Sequence, residues 1–246
     1  MPLREELRRD GDWLFRRRGW LPVIMLGVFL LAMRNFHYPW QSRLLEQFWE
    51  AACLLVSFTG LGIRVFTIAH VPANTSGRNT RGQKAGRLNT SGIYSIVRHP
   101  LYVGNFFMWL GLAMFPRQPW VIFFYVLVFW IYYERIMYSE EEFLRETFPD
   151  AFPEWGGRTP AVIPDFSLYR RPELPFSLRN VLRREYNGFF VLVTVFYVFE
   201  VLGDYLVQGH WQAGRVWTAF LICSAVIWVV LRTLKKTTRL LKVSGR

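Results

Sequence analysis

The chain has 246 residues, 52% of them hydrophobic and 18% aromatic, and its thirty Lys and Arg against eighteen Asp and Glu give a formal charge of +12. Apolar content this high, gathered into long runs, excludes a soluble globular domain, because several such helices leave too little polar surface to cover a water-soluble core. The basic residues fall in four separated segments, which suits contact with anionic lipid and argues against a nucleic-acid partner.

In chain order, the apolar runs are Gly19 to Met33, Phe48 to Val71, Leu101 to Phe115, Pro119 to Tyr133, Asn187 to Gln208 and Val216 to Leu231. They predict an all-α, polytopic transmembrane helix bundle of about six spans. Several runs are near fifteen residues, short of the roughly 20 a straight crossing needs, so flanking Trp, Tyr, Arg and Lys must complete them at the interfaces. The first run is followed by Arg34, Asn35, Phe36 and His37 rather than a small-residue cleavage site, so it reads as a retained anchor.

Twenty-five of the thirty basic residues precede the first span, lie between the second and third, follow the fourth, or close the chain. Only Arg34, Arg43, Arg117 and Arg215 fall on the other side, and Arg64 lies within a span. The positive-inside rule then predicts both termini, and the two long loops, at the cytoplasmic face. Residues 1–47 form a cytoplasmic N-terminus and first span, 48–164 a membrane core, and 165–246 a connector with two further spans.

Pro72 to Ser95 is rich in Gly, Asn, Thr, Ser and Arg, and the string Asn-Thr-Ser-Gly occurs at Asn74 and again at Asn89. A basic, flexible loop of this kind suits a lid or binding loop. Pro116 to Pro119 is too short for anything but a tight antiparallel hairpin, so the third and fourth spans pack side by side. Arg98 to Gly104 then lies beside the segment after Tyr133. Phe143, Leu144, Phe148 and Phe152 predict a short amphipathic helix over Glu140 to Phe152, lying on the bilayer.

Pro100 suits the first helical turn, with His99 at the cap. The unpaired amides of that turn, with Arg98 and His99, make an anion site for a carboxylate or phosphate. Tyr94 and Tyr102 offer faces to a cation, and Gly104 allows a helix or ligand to approach closely. Opposite stand Glu140, Glu141 and Glu142, for which Arg135 or a ligand's hydroxyls are the expected partners. Each residue also has a structural use: Arg98 as a snorkel, Tyr102 in an aromatic belt, His99 as a cap, Gly104 in helix packing, and the acids on a solvated face.

The run Gly92-Ile-Tyr94-Ser-Ile-Val-Arg98-His99-Pro100-Leu-Tyr102-Val-Gly104 resembles the signature of the isoprenylcysteine carboxyl methyltransferase and phospholipid methyltransferase superfamily. Downstream, Glu140, Glu141, Leu144, Phe148, Phe152, Trp155, Pro160 and Pro164 continue the resemblance, with Pro149 where the family usually has Gly, and Phe152 and Trp155 where Tyr is usual. The likeness covers about residues 48–164.

The resemblance implies S-adenosylmethionine held between the Arg-His-Pro helix start and the acid pair, with a lipophilic acceptor entering from the bilayer. The cofactor's carboxylate matches the helix start, its sulfonium the aromatic faces, and its ribose diol Glu140 or Glu141. Arg98 or Arg135 would orient a carboxylate or phosphate acceptor, and Glu140 would take the proton of an amine or thiol. The cofactor residues expected are therefore Tyr94, His99, Pro100, Tyr102, Gly104, Glu140 and Glu141, and the catalytic ones Arg98, Arg135 and Glu140.

Membrane sterol reductases, which bind a nicotinamide cofactor, resemble the same helix start, but their signature reads Arg-His-Pro-Asn-Tyr-x-Gly-Glu, where this chain has Leu101 and Asn105. A transporter or lipid-binding scaffold is the non-enzymatic alternative, motivated by Glu200 and Asp204 one turn apart in an apolar span. Cys53 and Cys223 lie in separate spans, and His37, His70 and His210 have no partners at ligand spacing, so no metal is expected. Nor does the sequence show an obligate protein partner.

Overall fold

The computed structural model describes residues 2–38, 42–72, 75, 83 and 85–246. Asn74, Ser76 and Gly77 of the first Asn-Thr-Ser-Gly string and the expected cytoplasmic charges Arg78, Arg81 and Lys84 lie outside the described residues. Eight α-helices are present among those described: α1 (Leu3–Arg16), α2 (Trp20–Ala32), α3 (Arg43–Ala69), α4 (Pro100–Met114), α5 (Pro119–Thr147), α6 (Ala151–Arg158), α7 (Leu178–Gln208) and α8 (Arg215–Thr237). The chain is an integral, multi-pass helical membrane protein. Four helices, α3, α5, α7 and α8, are long and apolar enough to cross a bilayer unaided.

The other two expected spans, α2 and α4, have 13 and 15 residues. At 1.5 Å per residue they reach about 20 Å, short of a hydrocarbon core of about 30 Å. Each buries one face in the bundle, where Met25, Phe29 and Leu112 belong to the same core as Tyr125 and Phe196, while Trp20, Val23, Ile24 and Leu31 of α2 are exposed.

Two stretches depart from expectation. Residues 140–147 form no separate surface helix. No breaker follows Tyr133 before Pro149, so α5 runs 29 residues, and the acids ride on its last turns. The turn containing Pro149 then separates it from the short α6. The second departure is α1, which packs along those same turns. Gly11 meets the backbone at Arg135, Arg4 pairs with Glu142 and Arg8 with Glu146, both at 2.5 Å, and Asp12 accepts a hydrogen bond from Ser139. Leu7, Gly11, Leu14 and Phe15 at helical spacing carry this face.

α3 and α4 are antiparallel and very close, because small residues line the seam. The Ser57 hydroxyl donates to the Met108 carbonyl at 2.8 Å, and the Trp49 indole to Met114 at 3.1 Å. A methyl group at Gly60 would fall 2.4 Å from the Gly104 carbonyl, and one at Gly104 2.8 Å from the Gly60 carbonyl and 2.5 Å from Arg64 Cγ. α7 runs antiparallel to α3 on another side, and Asn180 donates to the Ile68 carbonyl at 2.8 Å.

Gly104→Ala and Gly60→Ala should each force α3 and α4 apart. The expected loss is about 1–3 kcal/mol of stability, read as a lower thermal unfolding midpoint in detergent.

Candidate active site

The loop before α4 is held by backbone pairing. The Arg98 amide donates to the Pro160 carbonyl at 2.9 Å, the His99 amide to Ala161 at 3.2 Å, and Asp165 back to Ile96 at 2.9 Å. Gly92, at φ +61°, makes the turn that pairs its amide with Arg170, a backbone region in which side chains are strained. The segment after α6 is thereby strapped across the start of α4, which opens at Pro100 as its first helical residue.

This strap changes the expected anion site. The Arg98 and His99 amides are already paired, Pro100 has none, and the Tyr102 and Val103 amides donate to the His99 carbonyl at 3.0 and 3.1 Å. Of that turn, only the Leu101 amide has no acceptor among the described residues.

The three consecutive acids fan out, because successive helical residues point about 100° apart. Glu141 accepts from Arg98 Nε at 2.8 Å and from His99 Nε2 at 2.9 Å. Glu142 is buried and turns back to Arg4 on α1. Glu140 is left facing the cavity, 31% exposed, with its carboxylate 3.7 Å from His99 Nδ1. Arg98 also donates to the Gly156 carbonyl and, at 2.7 Å, to that of Thr159, tying the end of α6 to the start of α4.

Between these elements lies a cavity of about 570 Å³, within the usual range of about 300–1,000 Å³ for ligand pockets. Of the residues expected from sequence, it is lined by Tyr94, Arg98, His99, Pro100, Tyr102 and Glu140. The His99 and Tyr102 rings stack with centroids 5.7 Å apart, and Tyr102 meets Tyr133 at 4.9 Å. Burial raises the Tyr94 phenol above its ordinary range, so it is a neutral hydroxyl at physiological pH.

Three expected residues lie elsewhere. Gly104 is spent on contact with α3, as its distances to Gly60 and Arg64 show. Arg135 lies five residues before Glu140, about 140° round the helix, and its guanidinium donates to the Ile131 carbonyl at 3.3 Å. Arg135 is therefore no partner of the acids. Glu141 is absent from the cavity wall and acts as the joint between Arg98 and His99.

Other lining residues carry no motif and escaped sequence reasoning: Arg64 of α3, Asn105 and Trp109 of α4, Tyr133 of α5, and Arg184 and Asn187 of α7. Arg64 makes a two-pronged pair with the buried Glu185 of α7, at 2.8 and 2.9 Å, and donates to Asn105 Oδ1 at 2.6 Å. An arginine inside an apolar span was the available signal. α8 supports this wall, since the Trp228 indole donates to Asn187 Oδ1 at 2.7 Å. The departures at Phe152 and Trp155 form a buried edge-to-face pair, and the Trp155 indole donates to the Tyr94 carbonyl at 3.0 Å.

A helical membrane bundle with an arginine-rich cavity at one end, bounded by an Arg-His-Pro helix start and a glutamate, has the layout of an integral membrane enzyme. Residues 50–151 match the family model of phospholipid methyltransferases. The cobalt-zinc-cadmium resistance protein CzcN of Cupriavidus metallidurans is 37% identical over 66% of this chain and 71% of its own length. The nickel-cobalt-cadmium resistance protein NccN of Alcaligenes xylosoxydans is 32% identical over 65% and 70%. A protein-S-isoprenylcysteine O-methyltransferase of Schizosaccharomyces pombe is 33% identical over 44% and 48%. No solved structure matches significantly. The chain belongs to the isoprenylcysteine and phospholipid methyltransferase superfamily of integral membrane methyltransferases.

Glu185→Gln should leave the Arg64 guanidinium short of its counter-charge in a buried place. We expect a loss of about 3 kcal/mol, read as thermal unfolding in detergent.

Proposed function

We propose that this chain transfers a methyl group from S-adenosylmethionine to a lipophilic acceptor at the cytoplasmic face of the membrane. The observation that carries the reading is the convergence of Tyr94, His99, Tyr102 and Glu140 on one cavity of ligand size.

The residues present suit the donor. Glu140 is the only carboxylate on the cavity wall among the described residues, and it accepts from a ribose diol. Arg98 and Arg184 line the same space with the Leu101 amide nearby, and these favour the donor's carboxylate. The stacked His99 and Tyr102 rings, with Tyr94, present faces to its sulfonium. When bound, the donor supplies an electrophilic S–CH3 carbon. The protein has to align a nucleophile with that bond and exclude water, so positioning supplies most of the rate. Arg98 serves as a positioning residue that keeps the helix start in place, while Glu140 is the base within reach for an amine or thiol acceptor.

Orientation follows from charge. The cavity end carries α1, the strap and the connector before α7, where the basic residues concentrate, and the positive-inside rule puts that end in the cytoplasm. The isoprenylcysteine methyltransferase relatives are named for a lipidated acceptor, whereas the metal-resistance relatives name none.

Calorimetric titration of the purified protein with S-adenosylhomocysteine should give saturable binding, and NADPH should not. Glu140→Gln should weaken that binding about tenfold, with Arg135→Ala unchanged. Saturable binding of NADPH alone would replace this reading with the reductase one. Incubation with lipid extract and a labelled methyl donor should move label into the organic phase.

A further inference from the structure

α7 and α8 pack antiparallel, with the Trp228 indole donating to Asn187 Oδ1 at 2.7 Å and the Lys235 ammonium to the Arg183 carbonyl at 3.2 Å. This register sets the start of α7 beside the end of α8 and brings Arg179 to the level of Arg239. Tyr186, Leu231 and Leu241 are buried together at the seam, with Leu182, Trp228 and Leu234 packed around them. The last residue is tied down as well, since Arg246 donates to the carbonyls of Ala69 and Pro175, both at 2.7 Å.

Charge is unbalanced along this seam. Elsewhere at the cavity end, Arg4, Arg8, Arg87, Arg98, Arg145 and Arg158 each meet a carboxylate. Among the described residues, no ion pair reaches Arg179, Arg183, Arg232, Lys236, Arg239 or Lys242. Beyond Glu173 the only acidic side chains are Glu185, Glu200 and Asp204. Glu185 is spent on Arg64, and the other two lie beside Arg43 at the opposite end of the bundle.

Like charges this close on two packed helices repel, and α7 adds the positive end of its own dipole, with no acid in its first turn. Anions at the seam offset both. The surroundings fit a lipid better than a soluble anion, because the cations continue directly from bilayer-facing surface. Val229 and Val230 of α8, within a turn of Arg232, are 53% and 49% exposed, and Leu178 and Leu240 among the cations are 58% and 61% exposed. Apolar side chains interleaved with Arg and Lys at the end of a span suit a headgroup whose acyl chains run along the helix.

We propose that the α7–α8 seam binds the phosphate headgroup of an anionic phospholipid from the leaflet at the cavity end, and that the bound lipid holds α8 on α7. Trp228 then keeps Asn187 on the cavity wall, so the α7 side of the cavity depends on leaflet charge.

The test places the full chain in nanodiscs of phosphatidylglycerol and phosphatidylcholine, mixed equally with identical acyl chains, and reads retained lipid by native mass spectrometry. Phosphatidylglycerol should be retained well above its share. Arg179→Gln, Lys236→Gln and Arg239→Gln combined should lower that excess about tenfold. Neutralising other exposed arginines at the same end, by Arg9→Gln, Arg170→Gln and Arg171→Gln combined, should leave it unchanged. An equal loss in the two combined variants would reduce the seam to diffuse leaflet charge and overturn the proposal, and so would retention at the bulk ratio by the wild type. A second measurement follows thermal unfolding in detergent. Phosphatidylglycerol should raise the wild-type midpoint, and high salt should remove the gain. Without lipid the seam variant should unfold no earlier than the wild type, because its repulsion is relieved, and lipid should give it no gain. A lower lipid-free midpoint, or a lipid gain equal to that of the wild type, would also overturn the proposal. Neither measurement reads methyl transfer, so both outcomes are independent of the proposed activity.

Discussion

One carboxylate, Glu141, holds the cavity end of the bundle together. It accepts from both Arg98 and His99, and Arg98 at the same time donates to the carbonyls at the end of α6. The start of α4, the end of α5 and the end of α6 therefore meet through one side chain. Arginine is suited to this role because its planar fork holds several acceptors at fixed angles. With Glu141 committed to that joint, Glu140 is released to face the cavity and Glu142 to hold α1. The fan of three adjacent acids converts what looks like repulsion in sequence into three separate functions.

The second dependency runs through the membrane interior. Arg64 sits in an apolar helix, and its charge is sustained by Glu185 of α7 and the amide of Asn105. This triad joins α3, α4 and α7, so the cavity wall extends past the segment that matches the family model. The close α3–α4 seam at Gly60 and Gly104 is what brings Arg64 within reach of Asn105. Backbone packing and the charged network are thus coupled.

The helical membrane class, the hairpin of α4 and α5 and the meeting of the Arg98–His99 segment with the glutamates were legible, because each rests on local facts: long apolar runs, a connection too short to stray, and a proline that starts a helix. The motif also placed Tyr94, His99, Tyr102 and Glu140 at one cavity. Less was legible where two partners competed for one residue. Gly104 reads equally as a ligand contact or a helix contact, and only the position of α3 settles it. Arg135 is near the acids in sequence and far from Glu140 around the helix. The free amides expected before α4 are paired by residues 160–161, more than sixty positions away in the chain.

By itself, then, the sequence determined the membrane bundle and the chemistry available at one helix mouth, since hydropathy and helix-start signals act over a few turns. The tertiary structure alone decided which glutamate faces the cavity, which arginine is neutralised, and that α7 completes the cavity. Those outcomes depend on side chains brought together from distant helices, where burial makes every unpaired charge costly.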